Sequence, residues 1–295
     1  MKSAPFVMHQ VNSQADILNL LDQYGDDARI IAGGQTLVPV LAMRVASPDH
    51  LIDINKVIEL KNFGVSGDVL LVGSGVRQAE LEKWSDLDKT QPLLSMMFPW
   101  IAHAPIRNRG TVCGSIAHAD PSAELVLGLA VLEGSVTLVS KKKKRIVQAK
   151  DFFLGALQTC RQSNEFIESI QFPIRGHDAR FGFAEYGYRH GDFAVVAVAA
   201  IQEGNSWTVG FGGIDDTARV YKCVANSVNE INQFIDDFFR VFLQKFPGQS
   251  LPCYQLPCVK VLYQQNFLPW LKQSVKLQKR LPPKLVLLFQ LVTLH

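Results

Sequence analysis

A chain of 295 residues with 47% apolar and 19% charged residues has the composition of a folded globular protein, long enough for two domains or one large α/β unit. The net charge of +3 is too small to point to nucleic acid or an anionic membrane. Five cysteines with no C-x-x-C pair exclude a disulfide framework and write no zinc or iron–sulfur site, and no run reaches the ~18 apolar residues of a membrane span.

The N-terminal MKSAPFVMHQ lacks the apolar core of a signal peptide, so the expected compartment is the cytoplasm. Ser13 followed by Asp16 predicts a helix N-cap; Ile17, Leu20, Leu21 and Tyr24 share one helical face, and Gly25 ends the helix. ARIIA and HLIDI read as buried strands, with a short helix from about Leu37 to Met43 between them. DVLLVGSGV, residues 68 to 76, is a further strand; QAELEKW opens a helix, and a second helical stretch covers about Pro92 to Ile101.

HAPIRNRGTVCGSIAHAD reads as a long loop before a helix with Asp120 as N-cap and Pro121 as its first residue. SVTLVS and RIV are strands, and the basic run Lys141 to Arg145 between them is expected as a solvated hairpin turn rather than a docking patch. Pro173, Arg175, Gly176 and His177 mark a domain boundary. Beyond it ARFGFAEYGY, FAVVAVAAI and SWTVGFGGI predict three strands of an antiparallel sheet. From Phe238 to His295 there is no Asp or Glu against eight Lys and Arg: a basic tail, a helical extension, or a stretch translated in a wrong frame.

Two corners carry the chemistry. In IIAGGQTLVPVL, residues 30 to 41, a strand ends in small, uncharged residues and runs into a helix, exposing backbone N–H groups that suit a phosphate. The glycines let a ligand come close, and Thr36 caps the helix or donates its hydroxyl. There is no Gly-Lys-Ser/Thr of a Walker loop. GSGVRQ, residues 73 to 78, lacks the third glycine of a dinucleotide fingerprint and reads as a bulge or turn. TVCGS, residues 111 to 115, is the second corner, and Glu124 lies in the helix that follows. Two nests of N–H groups could clasp the diphosphate of a dinucleotide such as a flavin, with Glu124 accepting from ribityl or ribose hydroxyls.

AGGQTLVPVLAMR, LIDINKV, APIRNRGTVCGSIAHADPSAEL and RHGDFAVVAVAAI, in that order over roughly residues 1 to 220, resemble the FAD-binding medium subunit of molybdenum hydroxylases, the group of carbon monoxide dehydrogenase and xanthine dehydrogenase. The resemblance implies an α+β chain: a two-subdomain FAD-binding fold of the vanillyl-alcohol oxidase (PCMH) type at 1–176, split near 55–60, then a smaller α+β domain at 177–295, atypical after about 237. It implies a first diphosphate loop of Ala32, Gly33, Gly34, Gln35 and Thr36, a second of Thr111, Val112, Cys113, Gly114 and Ser115, and Glu124 on the flavin's sugar-like chain. The block Arg189 to Phe193 is expected to approach the isoalloxazine.

The implied partners are a molybdopterin-binding large subunit and a two-iron two-sulfur small subunit, with NAD, oxygen or a quinone as electron acceptor. Cys113 stands where the family favours glycine: either it faces outward and leaves the backbone donors in place, or its sulfur crowds the site and weakens FAD binding or forms an oxidisable thiol. A position near Glu185 often carries a basic residue in the family, a contact this chain would lack.

Other residues invite chemistry less well. His118 and Asp120 lack a third metal ligand, and Ser115 lacks a nucleophile elbow. His190 and Asp192 read as turn residues or flavin-side groups, and Arg107 and Arg109 as phosphate or partner contacts or as loop-pinning side chains. No catalytic or metal-ligating residue is assigned to this chain. The reading that follows is an FAD-binding electron-transfer subunit. The alternatives are a stand-alone FAD-dependent oxidoreductase, which needs an acid or base beside the ring, and a flavin-free scaffold that tethers partners.

Overall fold

A computed structural model describes residues 2–226 with Glu230 and Gln233, so the acid-free stretch lies outside the described residues. The first layer runs β1 (Val7–Gln10), α1 (Gln14–Tyr24), β2 (Ala28–Ile31), α2 (Leu37–Ala42) and β3 (His50–Asp53), the strands forming a parallel sheet in the order β1-β3-β2. As the sequence predicts, the Ser13 side chain accepts from the Asp16 N–H and Gly25 ends α1. Ile17 and Leu21 are fully buried and pack with Ala28 and Ile52, which turns α1's apolar face onto the sheet. The strand β1 carries no such signal: three of its four residues are exposed.

The second layer contains β4 (Phe63–Ser66), β5 (Val69–Gly73), α3 (Gln78–Glu82), α4 (Leu87–Thr90), α5 (Pro92–Met97), α6 (Ala104–Arg107), α7 (Val112–His118), α8 (Glu124–Val131), β6 (Ser135–Val139), β7 (Lys144–Gln148), α9 (Ala149–Phe152), β8 (Phe153–Gly155), β9 (Gln158–Thr159) and β10 (Phe166–Pro173). Its main sheet is antiparallel in the order β4-β5-β10-β6-β7. The strand of this sheet that comes last in the chain, β10, is therefore the central one, with Ile170 opposite both Val72 and Val136. Lys141 to Lys143 form the β6–β7 turn, and Lys141 lies 3.4 Å from Asp22.

Two expectations are corrected here. The segment read as a long loop holds α6 and α7, since burial of Val112, Cys113 and Ile116 outweighs the low helix propensity of its glycine. The next helix begins at Glu124, not Pro121: the Asp120 side chain accepts from the Ser122 N–H, and its carbonyl from the Ala123 N–H, so Asp120 makes a turn ahead of the helix and Ala123 is the N-cap.

A third sheet follows, β11 (Arg180–Tyr186), β12 (Val196–Glu203), β13 (Ser206–Gly212) and β14 (Arg219–Val224), antiparallel in chain order. The strand β14 adds to the three expected. Every residue of α8 from Glu124 to Leu129 is buried, as befits a helix packed against β12 and β13 and also against α5, α7 and α9. Leu127 and Leu129 share one apolar core with Val72, Ile116, Ile170, Phe183 and Ala199, so α8 joins the second layer to the third sheet.

Candidate functional site

The first corner follows β2. Gly34 has φ +70°, the left-handed region where a β-carbon is strained, and its carbonyl accepts from the Val38 N–H to start the turn into α2. The Thr36 side chain is exposed and makes no capping bond, so its hydroxyl is open. Among the described residues no hydrogen bond takes up the backbone N–H groups of Gly33, Gly34, Gln35 or Thr36. Four donors in succession suit an anion.

Gly33 packs closely against another part of the chain. A β-carbon there would stand 2.3 Å from the Arg109 carbonyl oxygen and 2.8 Å from the Gly110 α-carbon. Its missing side chain thus admits the Arg109–Gly110 backbone that leads into the second corner. The first corner, far from that segment in the chain, packs against it.

The second corner is the start of α7. Thr111 is its N-cap, and its hydroxyl accepts from the Gly114 N–H at 3.0 Å, which uses one donor of the expected nest internally. The Ser115 N–H goes to the Thr111 carbonyl and the Val112 N–H to the Val76 carbonyl. Cys113 points inward, 2% exposed, with its sulfur 3.5 Å from the Val72 carbonyl. Burial pushes its thiol well above the usual range, and the side chain faces the core rather than outward.

GSGVRQ is a turn from β5 into α3, and it ties the corners together. The Gln78 N–H donates to the Gly110 carbonyl at 2.9 Å. The Arg77 guanidinium donates to the Arg109 carbonyl and, at 2.5 Å, to the Asn55 side-chain oxygen, while the Asn55 amide donates to the Ala32 carbonyl at 2.9 Å. Neither Asn55 nor Arg77 is singled out by the sequence. Their signal is positional: Asn55 lies just past the end of β3, and Arg77 lies in the turn between β5 and α3.

Glu124 opens α8 and is 7% exposed; Glu185 on β11 is 2% exposed. The two carboxyls share a hydrogen bond. Burial, and then the Glu124 charge, push Glu185 up to about 9; burial also raises Glu124 to about 7, against the pull of its own backbone N–H and of Glu185. Glu185 therefore holds the proton and donates it to Glu124, and its other oxygen is buried without a partner.

The Arg189–Phe193 block leans on the segment before α6: a β-carbon at Gly191 would stand 2.6 Å from the His103 ring, and the His190 and Trp100 rings are 5.5 Å apart. Arg107 pins its loop, with a bidentate pair to Glu82 at 2.8 and 3.0 Å and a bond to the Ile101 carbonyl. Arg109 is exposed. His118 and Asp120 lie 4.0 Å apart, and among the described residues no group of three His, Cys, Asp or Glu is placed to hold a metal.

Residues 4–175 match the family described as the FAD binding domain in molybdopterin dehydrogenase. The chain belongs to this family. It is 38% identical over 201 residues to the 6-hydroxypseudooxynicotine dehydrogenase complex subunit alpha of Paenarthrobacter nicotinovorans, covering 68% of each chain. It is 31% identical to the carbon monoxide dehydrogenase medium chain of Hydrogenophaga pseudoflava, covering 69% of this chain and 71% of that one.

Among solved structures, carbon monoxide dehydrogenase from Hydrogenophaga pseudoflava superimposes with a TM-score of 0.72 at 29% identity, over 75% of this chain and 78% of that one. Quinoline 2-oxidoreductase from Pseudomonas putida 86 does so with a TM-score of 0.71 at 33% identity, over 75% and 78%. The chain is thus an FAD-binding oxidoreductase subunit of the medium-subunit type with an α+β fold. No helix of the described residues is long and apolar enough to cross a membrane.

Proposed function

We propose that this member of the family is the FAD-carrying electron-transfer subunit of a molybdenum hydroxylase, linking iron–sulfur clusters on a partner chain to an external acceptor, NAD, oxygen or a quinone. The proposed partners are a molybdopterin-binding large subunit and a two-iron two-sulfur small subunit; the Hydrogenophaga relative is named a medium chain and the Paenarthrobacter relative a complex subunit. Bound FAD supplies the redox group, and the protein supplies binding, orientation and electrostatics.

The observation that carries the reading is the close approach of the first corner, at Gly33, to the Arg109–Gly110 backbone that leads into the second. It brings the open N–H groups of Gly33 to Thr36 beside the start of α7, where the helix dipole adds to the attraction for a diphosphate. In this reading Ala32–Thr36 and Thr111–Ser115 hold the diphosphate, and ionised Glu124 accepts from sugar-like hydroxyls while Glu185 keeps the proton. The division into 1–176, split near 55–60, and 177 onward belongs to the same reading. It is supported by the ends of the three larger sheets, at Asp53, Pro173 and Val224.

The chain co-expressed with its neighbouring reading frames should purify with one FAD per chain and with molybdenum and iron in the same complex. Gly34→Val, which puts a branched side chain at a left-handed position among the donors, should purify without FAD. Full flavin content in that variant contradicts the loop assignment, and FAD without molybdenum or iron contradicts the partner assignment.

A further inference from the structure

We infer that Arg77 and Asn55 form a positioning bracket that sets the spacing and orientation of the two corners. The inference rests on the reading of those corners as the diphosphate cradle. Asn55 sits just beyond β3, held by its own N–H and amide to the Asp53 carboxylate at 2.9 and 2.6 Å. From there its amide reaches the Ala32 carbonyl. In a trans peptide the C=O and the following N–H point in opposite directions, so fixing the Ala32 carbonyl fixes the direction of the Gly33 N–H, the first of the four open donors.

Arg77 completes the link. One guanidinium nitrogen donates to the Asn55 oxygen and the other to the Arg109 carbonyl, the same oxygen against which Gly33 packs. The rigid planar fork holds two acceptors at a set separation, and the backbone that carries it is held in turn because the Arg77 main-chain N–H donates to the Glu80 carboxylate at 2.9 Å. A continuous path thus runs from the Ala32 carbonyl through Asn55 and Arg77 to the Arg109 carbonyl, one residue pair before the second corner. Arg77 also places a permanent positive charge behind both corners. Its role is to hold the donors, not to touch the reacting atoms.

The test uses the full chain. Arg77→Met keeps the stem and removes the fork; its FAD dissociation constant should rise about ten- to a hundredfold, the loss of charge-assisted hydrogen bonds. The visible circular dichroism of its remaining bound flavin should change. Arg77→Lys restores the charge without the fork and should recover only part of the affinity. Should Arg77→Met fail to fold, Asn55→Ala repeats the test, since it frees the Ala32 carbonyl and leaves the Arg77–Arg109 contact.

Wild-type affinity and dichroism in Arg77→Met or Asn55→Ala overturn the bracket, and full recovery by Arg77→Lys assigns the effect to charge and overturns it too. Gly34→Val measured alongside separates the two levels. If it retains FAD, the cradle itself is wrong; if it loses FAD while Arg77→Met does not, only the bracket is wrong.

Discussion

Cys113 shows how much depends on the direction of one side chain. Its sulfur sits in the core against β5, on the face of α7 that also buries Val112 and Ile116, and burial keeps the thiol protonated. Cys113→Ala should therefore leave the FAD dissociation constant unchanged within about twofold, while the lost sulfur costs about 1–2 kcal/mol of stability. Flavin titration and thermal unfolding check both; tighter FAD binding in the variant would restore the crowding reading. The sequence gives the residue but not its direction. Once 111–115 is read as a loop, no helical phase remains to turn Cys113 inward, and the α7 pattern of Val112, Cys113 and Ile116 emerges only when the helix start is known. Gly33 is a parallel case: a glycine in a strand-to-helix corner is legible, but the backbone that fills its missing side chain comes from residues 109 and 110.

Between elements, the junction of α8 with β11 carries an unusual charge arrangement. Glu124 and Glu185 face each other in a buried setting, and the negative charge of the nearby Asp120 acts on Glu124 as well. An acid whose folded pKa is raised binds more protons folded than unfolded, so stability falls as pH rises through the window between the two values. For Glu185 that window runs from its ordinary 4.5 to about 9. Glu185→Gln keeps a donor for Glu124 and carries no charge. It should match the wild type near pH 4 and exceed it at pH 8 by on the order of 2 kcal/mol, with a shallower fall in melting temperature between. A wild-type slope in the variant would show that Glu185 is not the group responsible. The alternation of β11 offers a signal here, since Glu185 falls on the same strand face as Phe181 and Phe183, which pack into the core shared with α8. Glu124 was legible as an acid early in a helix; its acidic partner was not, because that contact joins two elements.

Over the whole molecule, local patterns were legible and long-range pairings were not. The parallel unit from β2 to β3, the hairpin of β6 and β7 and the antiparallel run from β11 to β13 follow from periodicity and turn residues close in the chain. The place of β10 at the centre of the second sheet, between β5 and β6, does not, because strand order depends on contacts between distant segments. The site has the same character: each corner can be found in the sequence, but only the fold brings them together, through Gly33 and through the path from Asn55 to Arg77.

The most direct measurement is FAD titration of Gly33→Ala in the full chain, alongside its thermal unfolding. The added methyl meets the backbone of Arg109 and Gly110, so the corners must move apart, and a folded variant should bind FAD about ten- to a hundredfold more weakly. A folded Gly33→Ala protein with the wild-type dissociation constant would contradict the account, because the diphosphate would then not depend on the two corners lying side by side.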